Sequence, residues 1–316
     1  MKLLCIAGVY QLLQDFVFAR AEPQGAPGFY KFLQGAEARG HEIHVIFRTN
    51  QPLRTQFSDR VFFHPGNIQE RWRAKLPFGR FWTDVLGATY LGLCLSRQTR
   101  FDVVYGQLAY GAAAGFLLSR LLGIPNATRQ YGSLLYGQYG SNKWHMLRED
   151  FRSALPFLLP TRHLIITQDG TQADRVARLF GVRDDRVHIW FNGFDRDVVS
   201  QTDDVIDWPV AAGRKSLLWL GRLQGWKRPD RAIEVLHSLT SFRRDTHLVF
   251  TGDGDSVPEL ESHARQLGLD EYVHFTGAIP HRRVSSFYKR CDIFLSLFDY
   301  SNLSNTVIEA MACGCC

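Results

Sequence analysis

An alternation of strand-like and helix-like segments that runs once, fades and starts again constrains this chain more than anything else in it. Apolar strand-length runs occur at Lys2 to Gly8, His41 to Phe47 and Phe101 to Gly106. Between them lie helical patterns, the first with Phe29, Phe32, Leu33 and Ala36 at i, i+3, i+4 and i+7 and a stop at Gly40. A small-residue helix from Gly111 to Leu122 turns at Gly123-Ile124-Pro125, and His163 to Thr167, Gln172 to Phe180 and Arg186 to Trp190 continue the series. Such traffic predicts parallel sheets covered by helices on both faces.

From Ser200 to Lys215 the periodicity dissolves into Ser-Gln-Thr-Asp-Asp and Pro-Val-Ala-Ala-Gly, and a second series then begins at Ser216. The chain therefore reads as a first domain over 1–199, a linker over 200–215 and a second domain over 216–316. A length of 316 residues suits two domains at roughly 100–200 residues each. The second is short: a helix opening near Thr306 runs only to Gly314, so the sequence is expected to be a C-terminally truncated form with its second sheet incomplete.

With 45% hydrophobic and 22% charged residues the chain lies far from the composition of a disordered protein and can build a substantial core. A net charge of +6 favours anionic partners without choosing among them. The six cysteines show no repeated C-x-x-C spacing, so neither a zinc site nor a disulfide framework is expected, and reduced, mostly buried thiols are. Gln11, Gln14 and Asp15 interrupt what would be a signal core, and no run of about 18 apolar residues appears. The protein reads as cytoplasmic.

The chemistry-bearing residues cluster in the second series. Gly221-Arg222-Leu223 follows a strand, and Lys227 comes just before a helix opened by Pro229-Asp230. Two cations beside a helix N-terminus suit a diphosphate, because free N–H groups and the helix dipole favour anions while Arg and Lys neutralise the oxygens. On their own they also fit a solvated basic loop. Thr251-Gly252-Asp253-Gly254 ends the next strand, where Gly252 and Gly254 let a ligand approach the backbone. Asp253-Gly254-Asp255 imitates a metal-binding D-x-D, but its position suits a turn in which Asp255 or Ser256 caps the following helix.

Together with Asp299-Tyr300-Ser301-Asn302-Leu303-Ser304-Asn305-Thr306-Val307-Ile308-Glu309-Ala310-Met311-Ala312-Cys313-Gly314, these spacings resemble glycosyltransferase family 4 over most of the chain. The resemblance implies an α/β GT-B fold: two Rossmann-like domains facing across a cleft, the first on the acceptor side, the second holding the donor nucleotide. It implies a retaining transferase that moves a sugar from a nucleotide-sugar donor to a glycan, glycolipid or small-molecule acceptor, with no metal or other cofactor. By the same resemblance Arg222 and Lys227 bind the donor diphosphate, and Glu309, read as a carboxylate at a helix start, accepts hydrogen bonds from the ribose hydroxyls. Glu309 matches the second glutamate of the family's pair; eight residues before it, where the family commonly has the first glutamate, held against the donor sugar, this chain has Ser301. Asp299, or Ser301 and Asn302, are the candidates for that contact.

In the first series, Gly25-Ala26-Pro27-Gly28 resembles the family's glycine loop near the donor phosphate, and Asn192-Gly193-Phe194-Asp195 its Asn-Gly-x-Asp signature. The family's histidine after the fourth strand is absent from Tyr105-Gly106-Gln107-Leu108-Ala109-Tyr110; Gln107, Tyr110, Arg129 and Tyr131 remain as possible cleft residues, with aromatic packing the alternative for the tyrosines. Arg71-Trp72-Arg73-Ala74-Lys75 and Arg80-Phe81-Trp82, before an apolar helix with Leu86, Tyr90, Leu91 and Leu93, fit either a peripheral membrane contact or a helix with one core face and solvated cations. No nucleic-acid motif accompanies them. An oxidoreductase is disfavoured because no G-x-G-x-x-G follows a strand. A GT-B epimerase or phosphorylase and a non-catalytic sugar-nucleotide-binding module are the competing readings.

Overall fold

A computed structural model describes residues 1–7, 28–47, 58–65, 79–168, 170–191, 193, 194, 196, 199, 206–299 and 303–316. The described residues up to Phe191 form one compact unit and those from residue 193 a second.

The first unit runs β1 (Lys2–Ala7), α1 (Gly28–Ala38), β2 (Glu42–Phe47), β3 (Val61–Pro65), α2 (Gly79–Ser96), β4 (Val103–Gln107), α3 (Leu108–Leu122), β5 (Asn126–Tyr131), α4 (Leu135–Tyr139), α5 (Lys143–Glu149), α6 (Phe151–Leu158), β6 (His163–Gln168), α7 (Ala173–Leu179) and β7 (Val187–Phe191). Its strands are all parallel, in the order β3-β2-β1-β4-β5-β6-β7. The order reverses beside β1, the doubly wound arrangement in which ligands bind beyond the carboxyl ends of the strands. The central strand β1 is apolar on both faces, as a strand covered on both sides must be. Leu3, Cys5 and Ala7 pack on Phe29, Leu33 and Ala36 of α1, whereas Leu4 and Ile6 meet Val85 and Ala88 of α2 and Ala113 and Leu118 of α3.

The close seat of α3 on the sheet depends on two glycines. A Cβ on Gly106 would collide with the carbonyl of Gly111, and one on Gly111 would lie 2.7 Å from the carbonyl oxygen of Ile6. The N-terminus of α3 is thereby held at the end of β4. Gly123 closes the helix in the left-handed conformation at φ 66°.

The second unit contains β8 (Lys215–Leu220), α8 (Asp230–Thr240), β9 (Thr246–Thr251), α9 (Val257–Gln266), β10 (Val273–Phe275), α10 (Val284–Arg290), β11 (Ile293–Phe294) and α11 (Asn305–Ala312). Its sheet is parallel, in the order β10-β9-β8-β11. Leu217, Trp219, Leu248 and Phe250 form one core with α8 and α9; Leu218, Leu220 and Val249 form the other with α10 and Ala310. Within the 200–215 stretch, Ile206, Trp208 and Val210 pack into this second core, and Trp208 meets Phe287 edge-on.

The recurrent strands and helices expected from the sequence are present, with β3, β5 and α4 to α6 added. The expectation of mostly buried thiols is corrected: Cys5 is fully buried, Cys94, Cys291, Cys313 and Cys315 are half-buried, and Cys316 is exposed. These cysteines lie at helix ends and in the closing turn rather than inside a sheet. In the stretch considered for membrane contact, Arg71 to Lys75 lie outside the described residues. Phe81, Trp82, Leu91 and Leu93 pack against the first unit's core, while Leu86 and Tyr90 of α2 face solvent. No helix among the described residues is long and apolar enough to cross a membrane.

Three histidine pairs bridge neighbouring strands: His44 with His64, His163 with His188, and His247 with His274, at 3.0, 2.9 and 3.0 Å. Burial, and then the charge of His44, push the His64 imidazole down to about 4. Since an unfolded histidine titrates near 6.5, the unfolded chain binds more protons between about 4 and 6.5. Stability should therefore be fully present above pH ~6.5 and decline as pH falls toward ~4. Urea midpoints measured across that range should fall less steeply in His64→Gln; an unchanged slope would remove this pair as the cause.

Candidate active site

The carboxyl ends of β8 and β9 carry the site, and their loops are locked together by backbone. Gly221 N–H donates to the Thr251 carbonyl, Leu223 N–H to that of Asp253, and Ser256 N–H to that of Leu223, at 2.9, 3.0 and 3.1 Å. A Cβ on Gly252 would run into the carbonyl of Gly221, and one on Gly254 into the carbonyl of Leu223. Gly221 and Gly252 also have φ of 142° and 138°, conformations that other residues rarely adopt. The glycines expected to admit a ligand thus have a nearer partner, the preceding loop. Leu223, fully buried, anchors that loop in the core below.

This crossing fixes where the two cations stand. Arg222 is exposed and Lys227 half-buried, closing a short 3-10 turn over Gly225–Lys227. The Lys227 ammonium lies 5.3 Å from the Trp226 ring centre and 5.2 Å from that of Phe298, and among the described residues neither cation has an ion pair. Burial, and after it the positive charge of Arg222, lower the Lys227 amine to about 8. An anion between them would relieve both effects.

The next residues hold that turn in place. Arg228 adopts φ 53°, a left-handed conformation, directly before Pro229, where α-type conformations are disfavoured. Its guanidinium grips Asp230 through Nε at 3.0 Å and Nη2 at 2.7 Å, raising its own pKa and lowering that of Asp230. Asp230 therefore occupies the positive end of α8, which the sequence assigned to the diphosphate. Asp299, a candidate sugar contact, is likewise engaged: Arg231 lies 2.7 Å and Arg228 3.7 Å from its carboxylate. Arg231 also donates to the Leu297 carbonyl, tying α8 to the segment after β11.

Glu309 is 6% exposed, and its Oε1 lies 3.1 Å from His281 Nε2. It does not sit at the helix start as expected. Ser304 caps α11 by accepting from the Val307 N–H, which starts the helix at Asn305 and leaves Glu309 past the first turn. His281 is a partner that sequence reasoning missed; nothing in their separation of 28 residues announces the contact. Ser301 and Asn302 lie outside the described residues, as do Gly25, Asn192 and Asp195. Gly28 opens α1 with nothing within 4 Å of a Cβ placed there, so packing does not demand a glycine. In the Asp253-Gly254-Asp255 turn, Asp253 accepts from the Gly254 N–H; Ser256 is the N-cap residue of α9 but makes no side-chain cap bond, and no group of residues suited to a metal ion occurs among the described residues.

Two parallel doubly wound units, the second with two cations in the loop after β8 and a buried carboxylate on its last helix, define an α/β protein built of two Rossmann-like units. Residues 28–198 match Glycosyltransferase Family 4 and residues 201–316 match Glycosyl transferases group 1. The chain belongs to glycosyltransferase family 4. It is 28% identical over 232 residues to a 2-deoxystreptamine N-acetyl-D-glucosaminyltransferase of Streptomyces fradiae, covering 70% of this chain and 55% of that protein. It is 26% identical over 216 residues to an alpha-D-kanosaminyltransferase of Streptomyces kanamyceticus, covering 64% of this chain and 54% of that one. The chain thus spans about half the length of the curated relatives it matches. Among solved structures, Anabaena HepE in complex with UDP and glucose superposes with a TM-score of 0.67 at 17% identity, covering 100% of this chain and 79% of that one. WaaG, a glycosyltransferase of lipopolysaccharide biosynthesis, gives 0.67 at 18% identity, covering 100% and 80%. The fold is GT-B.

The loop crossing generates a direct expectation. Gly252→Ala should destabilise the second unit by at least the roughly 1–3 kcal/mol of an overpacked contact, read as a lower urea midpoint. An unchanged midpoint would show that the two loops do not touch as described.

Proposed function

We propose that the protein is a retaining glycosyltransferase that moves a sugar from a nucleotide-sugar donor to a glycan, glycolipid or small-molecule acceptor in the cytoplasm. The observation that carries this reading is the pair of cations Arg222 and Lys227, without carboxylate partners among the described residues and fixed beyond β8 with an amine lowered to about 8. A donor diphosphate is the ligand they fit. As the glycosidic bond breaks, negative charge grows on the leaving diphosphate, and fixed cations stabilise that charge more than the ground state. In a retaining transfer without a protein nucleophile, the departing phosphate takes the acceptor proton as the new bond forms on the same face. The two side chains supply the charge that a metal would otherwise bring, so the reaction is read as metal-independent.

Glu309 is suited to the ribose hydroxyls, since an ionised carboxylate only accepts hydrogen bonds and its contact with His281 restrains its orientation. Ser301 and Asn302 remain the candidates for the sugar hydroxyls. Asp299 acts instead by holding Arg228 and Arg231. The UDP complex of HepE supports a nucleotide donor in this family without fixing its base or sugar.

Replacing Arg222 or Lys227 singly with alanine should slow transfer about tenfold to a thousandfold, the scale of one lost charge-stabilising donor. The double variant should fold and lose binding of UDP, GDP and ADP sugars measured by calorimetry. Full affinity in the folded double variant would sink the diphosphate assignment. Retention predicts an α-linked product from an α-linked donor; a β-linked product by NMR would refute that part alone.

A further inference from the structure

A second polar cluster stands at the carboxyl ends of the first unit's strands. In the parallel register Gln107 of β4 is opposite Arg129 of β5, and Tyr131 is opposite Thr167 of β6, which in turn is opposite Trp190 of β7. Residues paired in this way point to the same face of the sheet, here the face that Tyr105 and Ile165 share with α1.

Two of these side chains are underused. Gln107 is completely buried, and among the described residues neither its amide nitrogen nor its amide oxygen has a partner at hydrogen-bonding geometry; its neighbour Tyr105 is a phenol that burial pushes well up. Arg129 donates from Nη2 to the Thr167 hydroxyl at 2.6 Å, while its Nη1 is buried without an acceptor. Its guanidinium lies 5.1 Å from each of the Tyr131 and Trp190 ring centres. Among the described residues Arg129 has no ion pair, so the charge is held between rings with no carboxylate to neutralise it. Leaving such groups unmade costs about 1–3 kcal/mol each, a sizeable share of the roughly 5–15 kcal/mol by which a fold is stable, so a ligand that pairs with them is favoured.

Backbone adds a third element. Gln107 is the N-cap residue of α3 yet makes no side-chain cap bond, and Leu108 begins the helix at φ 57°. The Gly106–Gly111 contact holds this 15-residue helix with its positive end against β4, next to Gln107.

From the buried, unpartnered groups of Gln107 and Arg129 beside the uncapped start of α3, we infer that the first unit contains a binding site for an oxyanion, the phosphate or carboxylate of an anionic acceptor. A guanidinium and an amide donor present N–H groups to such a ligand, and the helix dipole adds to their attraction. This rests on the glycosyltransferase reading for the word acceptor, but anion binding itself does not.

The test uses the full chain carrying Arg222→Ala and Lys227→Ala, which removes the other phosphate-binding cations. Inorganic phosphate and acetate, titrated by calorimetry, represent the two anion classes, and methyl glucoside serves as a neutral control. Saturable binding of phosphate or acetate, with none of the glucoside, is expected; whichever anion binds identifies the class. Adding Arg129→Gln should weaken it about tenfold to a hundredfold, the scale of a lost charged hydrogen bond, and Arg129→Lys should weaken it less. Gln107→Met, which leaves the charge in place, should weaken it severalfold and decides the matter if Arg129→Gln does not fold. Absence of anion binding in the parent, or affinity indifferent to both positions, would overturn the inference, and glucoside binding alone would replace it with a neutral sugar site. In a chain with Arg222 and Lys227 intact, sugar-nucleotide binding should survive Arg129→Gln; if the unaltered chain binds no sugar nucleotide, the transferase reading fails while the oxyanion site is judged by phosphate and acetate alone.

Discussion

The candidate site of the second unit depends on two loops whose backbones touch. Where β8 and β9 end, Gly221 and Leu223 lie directly against Gly252 and Gly254, and no side chain larger than hydrogen fits at either glycine of the second loop. That contact decides the path of residues 221–227 and hence the positions of Arg222 and Lys227. A flexible basic loop would lose entropy on binding an anion; a loop held by backbone hydrogen bonds and a buried Leu223 has lost it on folding. Preorganised charge of this kind is what a leaving diphosphate needs, because it need not reorganise as the bond breaks.

Around this crossing the cations divide into paired and unpaired ones among the described residues. Arg228 and Arg231 are satisfied by Asp230 and Asp299, and they fasten α8 to the strand edge. Arg222 and Lys227, close by in sequence, have no carboxylate partner among the described residues. The contrast is informative, since a fold that needed all four cations for stability would pair them all. A half-buried amine beside a like charge is destabilised in its protonated form, and an anionic ligand would return that energy as affinity.

The sequence made the architecture legible where periodicity was strong. The alternation of β1, α1 and β2 and the restart at β8 follow from apolar spacing, and the Gly-Arg-Leu to Lys spacing located the cationic pair. What sequence could not show was which polar groups meet. Gly252 and Gly254 read as space for a ligand, yet the neighbour they admit is another loop, because strand pairing brings residues 31 apart into contact. Asp299 read as a sugar contact, but helix α8 carries Arg231 to it from 68 positions away. The Glu309–His281 pair and the Arg129–Thr167 bond have the same character: each joins adjacent elements through tertiary packing that no local pattern encodes.

The central claim is that Lys227 is depressed by burial and by Arg222 so that a diphosphate can restore it. The most direct measurement is the titration of its side-chain amine by NMR after isotopic dimethylation, assigned with Lys227→Arg, in the free chain and with saturating nucleoside diphosphate. The account predicts a free value near 8 that moves up toward the ordinary lysine range, about 10.4, when the nucleotide binds. A lysine already at its ordinary value in the free chain, or one whose titration the bound nucleotide leaves unmoved, would contradict it.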